Sequence, residues 1–365
     1  MGESESRPLQ AEEVDIESLL IEFLDRPDID FSVEGSSEII NQLEKTLQAC
    51  KNADLSKGKI RIFLEAVAGL WKKYTTPDGQ IERREREINS SGEREPELNH
   101  ALRVMELSLE ILYEAHELRE IFGESARKEI ESLWNRRTEI AFVALSHDTV
   151  EDGKFTLEEL IRFLEGVGIP RGTAGGWGDH VSLLSRFKDA NGDYVEGVQV
   201  YLDKVNKSLI SRFIKISGDI LHNAQSELKS KKQRSKFRDG YCDYFQKHFF
   251  WIRELPAFER ALKEIQAVNP EIAELLGKVK LRVGEVIAPV VVPVPRVDTG
   301  RARIIIEAPD DLGLPPLTHW EGVMLPTTYG NGGNGKGASP TNGQSRIHIP
   351  LQQIPEDLLR EAENL

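Results

Sequence analysis

The chain has 365 residues, of which 39% are hydrophobic and 30% charged, and its formal net charge is −14. No apolar run approaches the ~18 consecutive residues that a membrane-spanning helix requires, so we expect a globular protein without a membrane partner. A general nucleic-acid binder would present a basic surface, and the net charge argues against that class, but a small anionic substrate is compatible with cations gathered around one pocket.

The cysteine content and the first residues indicate a compartment. The two cysteines, Cys50 and Cys242, cannot form a disulfide framework, and neither has a companion at metal-ligand spacing. Residues 1–15 are acidic and polar, without the basic region and apolar core of a secretory signal. We therefore expect a reducing, cytoplasmic location. The oligomeric state stays open, a homo-oligomer included.

Helical spacing dominates from Asp15 to about Leu281, where proline is sparse. Thr156 and Glu159 form a capping-box pattern at the start of one helix, and Gly153 is a plausible stop for the helix before it. The segments that predict helices are IESLLIEFL, SEIINQLEKTLQA, IRIFLEAVAGLWKKY, HALRVMELSLEILYEAHEL, RTEIAFVALSHD, LEELIRFLEGVG, SLISRFIKISGDILHNAQSEL and FERALKEIQAV. The sequence therefore predicts a mainly α body.

The amino-acid composition changes beyond about residue 283. VIAPVVVPVPRV and RARIIIEA are β-branched runs with prolines, which favour short edge strands or extended segments. Residues 326–344 have the composition of a Gly/Asn-rich linker, and PEDLLREAENL predicts a short helix. We divide the chain into an N-terminal helical extension (1–57), a central domain (58–268) and a small C-terminal β-containing appendage (269–365).

The stretch ALSHDTVEDG, residues 144–153, places four ionisable side chains at the end of an apolar helix. On a helix, His147 would share a face with Glu151, and Asp148 with Asp152. Adjacent residues such as His147 and Asp148 can aim at one point only in the groove against a neighbouring helix. A divalent metal ion is such a point, and imidazole plus carboxylate ligands suit Mn²⁺, Fe²⁺, Zn²⁺ or Mg²⁺.

Further ligands are available on other predicted helices. His100 begins one amphipathic helix, and Asp219 lies in another, with Asn223 one turn later on the same face. Candidate metal ligands from three helices then follow in the chain order H…HD…D: His100, His147, Asp148 and Asp219. This order is the signature of the HD-domain metallophosphohydrolases.

Four segments resemble one branch of that family. SSGEREPELNH, ALSHDTVEDGKFTLEEL, VSLLSRFKDANGDYVEGV and FIKISGDILHNAQ occur in the order, and with much of the wording, of the alarmone-hydrolase domain of the Rel/SpoT family. The resemblance spans about residues 58–255. It implies a helical HD-domain bundle, one bound Mn²⁺ and removal of pyrophosphate from the 3′ position of guanosine tetra- or pentaphosphate.

The resemblance also implies roles for individual residues. The four candidate ligands named above would hold the ion, and Glu151 and Asp152 would position and deprotonate the attacking water. A metal ion lowers the pKa of bound water, and a nearby carboxylate can take the proton. The residues expected to face the nucleotide substrate are Asn223 and Lys215, Ser90 and Ser91 through backbone N–H groups, Arg186 and Lys188 at the phosphates, and Tyr194 beside the base or ribose.

The chain also departs from the family pattern. The interval from His100 to His147 is wider than usual, so residues 114–136 resemble an insertion. Ala101 stands where a proline is usual, Ser146 where a leucine is, and Gly218 where an alanine is. No ligand is lost, but the departures mark a remote relative with a potentially different substrate.

Several alternatives stay open at this point. The same chemistry would serve another nucleotide, such as a dNTP, a nucleoside monophosphate or a cyclic dinucleotide, and a non-catalytic binding module is a third reading. His222 is equally compatible with a partner of the metal ligands and with a core histidine. IERRERE (residues 81–87) offers arginines that could steer polyphosphate, although a solvated helix face is the favoured interpretation.

Overall fold

The computed structural model describes residues 14–88, 94–188, 194–226, 228, 234–235 and 237–277. The predicted strands, linker and last helix beyond residue 278 lie outside the described residues, as do Ser90 and Ser91. The described chain is mainly helical, which confirms the predicted α class.

The helices in chain order are α1 (Ile16–Leu24), α2 (Ser36–Asn52), α3 (Lys57–Lys73), α4 (Glu97–Glu117), α5 (Glu124–Trp134), α6 (Arg137–Ser146), α7 (Leu157–Gly166), α8 (Arg171–Leu184), α9 (Val198–Val205), α10 (Leu209–Ile214), α11 (Leu221–Gln225), α12 (Asp243–Lys247), α13 (Pro256–Val268) and α14 (Pro270–Gly277). Short 3₁₀ turns cover Arg119–Ile121 and Phe250–Glu254, and π-helical segments cover Lys215–Ile220 and Phe237–Cys242. Strands β1 (Arg83–Ile88) and β2 (Arg94–Pro96) pair antiparallel.

Helix α4 forms the centre of the core. It packs against α2, α6 and the π segment Lys215–Ile220, and it also contacts α5, α10, α11 and α13. Leu102, Met105, Leu109 and Leu112 are fully buried, and the opposite face is largely buried too. A helix that is apolar on most of its circumference must be surrounded by others, which explains why α4 is the interior helix. Any polar group on it, such as His100, is therefore held among packed neighbours.

The N-terminal helices share this core. Helix α2 lies along α4, and the Thr46 hydroxyl donates a hydrogen bond of 3.2 Å to the Leu102 carbonyl. Residues 1–282 form one compact unit, within which α14 packs on α13. The predicted N-terminal extension thus contributes to the same packed interior that carries the candidate ligands.

The segments α10, Lys215–Ile220 and α11 form one continuous helix from 209 to 225. Its central turn is π-helical, which the sequence does not signal, and Gly218 of that turn faces α4. A Cβ added at Gly218 would lie 2.5 Å from the Val104 carbonyl oxygen and 2.6 Å from the Ser108 hydroxyl. Only glycine permits this approach of the two backbones. The glycine at position 218 therefore accompanies a close contact between the two helices.

Helix α6 ends at Ser146, one residue before the His-Asp pair, and residues 147–153 form turns. The Asp152 N–H still donates to the Asp148 carbonyl at 2.8 Å, so the predicted shared face persists at that pair. Gly153 adopts a φ of +69°, which ends the turn. The predicted capping box at Thr156 and Glu159 is present, with both of its hydrogen bonds.

The segment IERRERE is not a helix face, and that interpretation is wrong. Its residues from Arg83 onward belong to β1, which pairs with β2 directly before α4. The Glu97 N–H donates to the Glu82 carbonyl at 3.0 Å, and the Lys154 ammonium pairs with the Glu82 carboxylate. These contacts fix the hairpin beside the turn that follows α6.

None of the described helices combines the length and the apolarity that crossing a membrane would require.

Candidate metal centre

Nitrogen and oxygen atoms of the four predicted ligands converge on one point. Nε2 of His100 lies 3.1 Å from Nε2 of His147, and each of these nitrogens lies 3.2 Å from Oδ2 of Asp148. Oδ1 of Asp219 is 3.6 Å from Nε2 of His100 and 4.0 Å from Nε2 of His147. The structure therefore brings together His100, His147, Asp148 and Asp219, which are separated by up to 119 positions in the sequence.

Three separate elements supply these side chains. His100 lies in the first turn of α4, the His147–Asp148 pair follows the end of α6, and Asp219 lies in the π turn after α10. The imidazoles of His100 and His147 and the carboxylate of Asp219 are buried, whereas the Asp148 side chain is 21% exposed. π turns are frequent at functional sites because the extra residue redirects side chains. The centre thus opens to solvent on the side of Asp148.

The donor set fits a divalent cation. Two ligands at right angles on an ion with bonds of about 2.1 Å lie about 3 Å apart, and tetrahedral ligands somewhat further. The atoms of His100, His147 and Asp148 lie 3.1 to 3.2 Å apart, within this range, and Oδ1 of Asp219 lies further out, 3.6 and 4.0 Å from the two imidazole nitrogens. Two imidazole nitrogens with carboxylate oxygens and no thiolate suit Mn²⁺, Fe²⁺ or Zn²⁺. Residue type and spacing therefore fit a divalent cation, and the choice of Mn²⁺ stays a prediction.

The two histidines have opposite protonation tendencies. Burial and the positive charge of Arg84 lower the pKa of His100 to about 3. Burial would also lower the pKa of His147, but the carboxylates of Asp148 and Asp219 outweigh it and raise that pKa to about 9. A cation that replaces this proton finds the same carboxylates, so ion binding and loss of the His147 proton are coupled.

Asp219 is held by two neighbours on its own helix. The Lys215 ammonium pairs with Oδ2, and the Asn223 amide donates to Oδ1 at 2.5 Å. Lys215 is only 5% exposed, and its ammonium lies 5.0 Å from the ring centroid of Tyr201 and 4.8 Å from that of Tyr241. Lys215 and Asn223, predicted to face the nucleotide, thus contact the candidate metal ligand, and their roles toward a nucleotide stay predictions.

A second group of side chains lies behind His100. Its Nδ1 is 2.6 Å from Nδ1 of His222 on α11, and Nε2 of His222 is 3.5 Å from Oε1 of Glu95 on β2. The same Glu95 oxygen accepts a hydrogen bond of 2.6 Å from the Asn99 amide. Burial opposes ionisation of Glu95, but His222, His100 and Arg84 lower its pKa to about 2. Glu95 is therefore a buried carboxylate at the rear of the centre.

Glu151 is bound to the segment that follows α8. Its Oε2 accepts a hydrogen bond of 2.8 Å from the Arg186 backbone N–H, and its Oε1 accepts one of 2.8 Å from the Tyr194 hydroxyl. The Arg186 guanidinium stacks on the Tyr194 ring, 3.7 Å from its centroid, and Lys188 forms an isolated antiparallel bridge with Tyr194. The predicted substrate residues Arg186, Lys188 and Tyr194 are thus gathered around Glu151.

Asp152 has a different environment. Burial and the negative charge of Asp148 raise the pKa of its carboxyl group to about 7. A carboxyl group with this pKa exchanges protons readily near neutrality. The two neighbouring carboxylates therefore have different properties. Glu151 accepts two hydrogen bonds from the protein, and Asp152 is suited to proton transfer.

Arg84 is a site residue that the sequence reasoning did not favour. Its guanidinium is 16% exposed and lies 4.0 Å from Oδ2 of Asp148 and 3.6 Å from Oε2 of Glu97. Residues 89–92, Asn-Ser-Ser-Gly, have turn composition between two charged runs, which would have favoured a hairpin over a helix face. On a strand, successive side chains point to opposite faces, so a predicted hairpin would have separated Arg83 from Arg84.

The predicted loop of Ser90 and Ser91 lies outside the described residues, so its role toward phosphate stays a prediction.

A scan against protein-family models gives no match, and searches of curated proteins and of solved structures find no similar chain. The assignment of this centre therefore rests on its residues and their geometry.

Proposed function

We propose that this protein is a metal-dependent phosphohydrolase of the HD type that removes the 3′-pyrophosphate from guanosine tetra- or pentaphosphate. The observation that carries the proposal is the convergence of His100, His147, Asp148 and Asp219, whose imidazole Nε2 atoms lie 3.1 Å from each other and 3.2 to 4.0 Å from the carboxylate oxygens. The H…HD…D order and the four segments that resemble the Rel/SpoT hydrolase domain support the proposed family and substrate class.

The ion, when bound, would supply positive charge that favours loss of a proton from water and offsets the charge of a phosphate. Asp152 accepts the proton, because burial and the neighbouring charge of Asp148 raise the pKa of its carboxyl group and make it more basic than an ordinary aspartate. Glu151 holds the backbone of Arg186 and the hydroxyl of Tyr194 through its two hydrogen bonds of 2.8 Å. This division assigns proton transfer to one carboxylate and substrate positioning to the other.

Cations beside the centre support an anionic substrate despite the chain's negative charge. Arg84 borders Asp148 on one side. On the other side, the Arg186 guanidinium and the Lys188 ammonium lie over the ring of Tyr194, whose hydroxyl binds Glu151. Arginine is suited to phosphate because its planar guanidinium can donate two parallel hydrogen bonds. A polyphosphate bound between these groups would reach the ion with its charge compensated.

The decisive experiment is a substrate panel with Mn²⁺-loaded protein. Guanosine carrying diphosphates at both the 3′ and 5′ positions is compared with dNTPs, nucleoside monophosphates and cyclic dinucleotides, and released pyrophosphate and phosphate are quantified. We expect pyrophosphate from the 3′ position of the guanosine compound. Release from another member of the panel would reassign the substrate, and inertness toward the whole panel would contradict the hydrolase proposal.

The matched variants are Asp152→Asn and Asp179→Asn. Asp179 is exposed on α8, outside the centre, so the same chemical change there tests nothing but the substitution itself. We expect Asp152→Asn to lower turnover on the order of 100-fold or more, since general-base catalysis contributes about that much, with Mn²⁺ content unchanged. Equal turnover of the two variants would refute the role of Asp152.

A further inference from the structure

The contact between His100 and His222 has no role in the chemistry described so far. Both rings are buried, and their Nδ1 atoms lie 2.6 Å apart, with ring centroids separated by 4.8 Å. Behind His222, Oε1 of Glu95 lies 3.5 Å from Nε2. Three ionisable side chains from β2, α4 and α11 therefore form a row that ends at the candidate metal ligand.

A second metal ion does not explain this row. Two ligands on one ion lie about 3 Å apart or further, because each bond measures about 2.1 Å. The two Nδ1 atoms are closer than this, at 2.6 Å, which is a hydrogen-bond separation. One of these nitrogens therefore carries a proton and the other accepts it.

The direction of that hydrogen bond follows from the geometry on the other side of His100. Its Nε2 faces His147, Asp148 and Asp219, so a cation held there requires the Nε2 lone pair. A neutral imidazole with a free Nε2 has its proton on Nδ1, and His100 must then donate to Nδ1 of His222. His222 in turn has its proton on Nε2, the atom that faces Glu95. The tautomer of His100 therefore determines the tautomer of His222.

Glu95 completes the row mainly by its charge. A separation of 3.5 Å is long for a direct hydrogen bond, but a buried carboxylate still favours an N–H dipole directed toward it. Its oxygen is fixed by the Asn99 amide, 2.6 Å away. The carboxylate therefore selects the tautomer of His222 from a fixed position.

We infer that His222 is a positioning residue of the metal centre: it accepts the Nδ1 proton of His100, directs its own Nε2–H toward Glu95, and so holds Nε2 of His100 on the ion. This inference rests on the proposed metal centre. Groups behind metal-bound histidines fix the ring orientation and the tautomer, and their removal typically weakens metal binding by about 10- to 100-fold.

The first test reads the tautomer in the full chain loaded with Zn²⁺, a diamagnetic ion that suits NMR. Long-range ¹H–¹⁵N spectra distinguish protonated from unprotonated ring nitrogens. We expect the proton of His100 on Nδ1 and that of His222 on Nε2. A proton on Nδ1 of His222 would overturn the inference, because that nitrogen could then not accept from His100.

The second test measures the Zn²⁺ and Mn²⁺ dissociation constants of two variants by isothermal titration. His222→Phe fills the site without an acceptor, and we expect binding about 10- to 100-fold weaker than in wild type. His222→Asn places a carbonyl oxygen near the position of Nδ1, and we expect most of the affinity to return. The control is His116→Phe, since His116 stacks on Trp134 at 4.0 Å, away from the centre, and a phenyl ring can preserve that stacking.

The outcomes separate this inference from the proposed function. Wild-type protein that binds neither ion contradicts the metal centre itself. Tight binding by wild type, with equal affinity in His222→Phe, contradicts the positioning role alone. Should His222→Phe fail to fold, the tautomers in the wild-type protein and the affinity of His222→Asn still decide the question.

Discussion

The two sides of the centre are built differently. On the ligand side, His100, His147 and Asp219 are buried, and each has a further partner: His222, the Ala144 carbonyl and Lys215, respectively. On the opposite side, beside Glu151, Phe187 is 57% exposed and Val195 is 71% exposed. The candidate ligands are set by the packed core, whereas these exposed side chains lie next to Arg186 and Tyr194, which contact Glu151, the Glu196 carbonyl and each other.

This difference indicates that one side of the centre is suited to ion binding and the other to substrate binding. Ligands must be fixed closely for an ion to bind, and helices packed around α4 supply that rigidity. Substrate contacts are better placed on segments that can adjust, where local stability is low. Changes on the ligand side should therefore affect ion binding first, and changes around Arg186 should affect substrate binding with the ion retained.

The largest effect is expected from Asp148→Asn. The amide keeps the shape but removes the charge of a ligand whose Oδ2 lies 3.2 Å from both imidazole Nε2 atoms. We expect Mn²⁺ affinity to fall on the order of 100-fold or more, because the substitution removes one of the two carboxylates among the four candidate ligands. Isothermal titration measures the change, with Asp179→Asn as the control; unaltered affinity would remove Asp148 from the ligand set.

Gly218→Ala tests whether the close helix contact positions Asp219. The new methyl group would lie 2.5 Å from the Val104 carbonyl oxygen, so α4 and the π turn must separate. We expect a loss of about 1–3 kcal/mol in the free energy of unfolding, typical of overpacking, together with weaker Mn²⁺ binding. Urea unfolding and titration measure the two effects.

The control for that substitution is Gly175→Ala on α8, where an added Cβ meets no atom within 4 Å. It should leave stability unchanged or slightly improved, since alanine favours helix. If both variants have the same stability as wild type, the contact at Gly218 does not constrain the helices.

Arg84→Gln tests whether the solvent-facing side of the centre acts on substrate binding and not on ion binding. The substitution removes a positive charge 4.0 Å from Asp148, so Mn²⁺ binding should be retained or slightly strengthened. The KM for the phosphorylated substrate should rise about tenfold, equivalent to about 1.4 kcal/mol of lost phosphate interaction. A fall in Mn²⁺ affinity with unchanged KM would place Arg84 on the ligand side instead.

The smallest effect is expected from Tyr194→Phe, which deletes one hydrogen bond of 2.8 Å to Glu151. A single hydrogen bond contributes about 1 kcal/mol. We expect faster amide hydrogen exchange at residues 186–188 and unchanged Mn²⁺ affinity. Exchange that stays at the wild-type rate would show that this segment is held by other contacts.

Much of the fold, and the clustering of the candidate ligands, could be predicted from the sequence. Helix α1 has the predicted bounds, because IESLLIEFL combines clear periodicity with flanking aspartates. The capping box at Thr156 follows from a local pattern of four residues. His100, His147, Asp148 and Asp219 could be selected because their order and residue types are specific even when each alone is not.

Other features depend on tertiary contacts that local patterns do not encode. The π turn at Asp219 and the close approach at Gly218 arise where two helices meet. Arg84 was misassigned because ERRERE has no clear periodicity, and pairing with β2 decides its conformation. His222 could be read in two ways until its distance to His100 was known. In each case the missing information is a partner distant in sequence.

The most direct test of the central claim is the number and coordination of Mn²⁺ ions bound by the purified chain. Elemental analysis gives the stoichiometry, and pulsed electron paramagnetic resonance detects nitrogen atoms bonded to the ion. The account requires one ion per chain, coupled to the imidazoles of His100 and His147, with one coupling lost in His147→Ala. Protein without a stoichiometric ion, or an ion without nitrogen couplings, would contradict it.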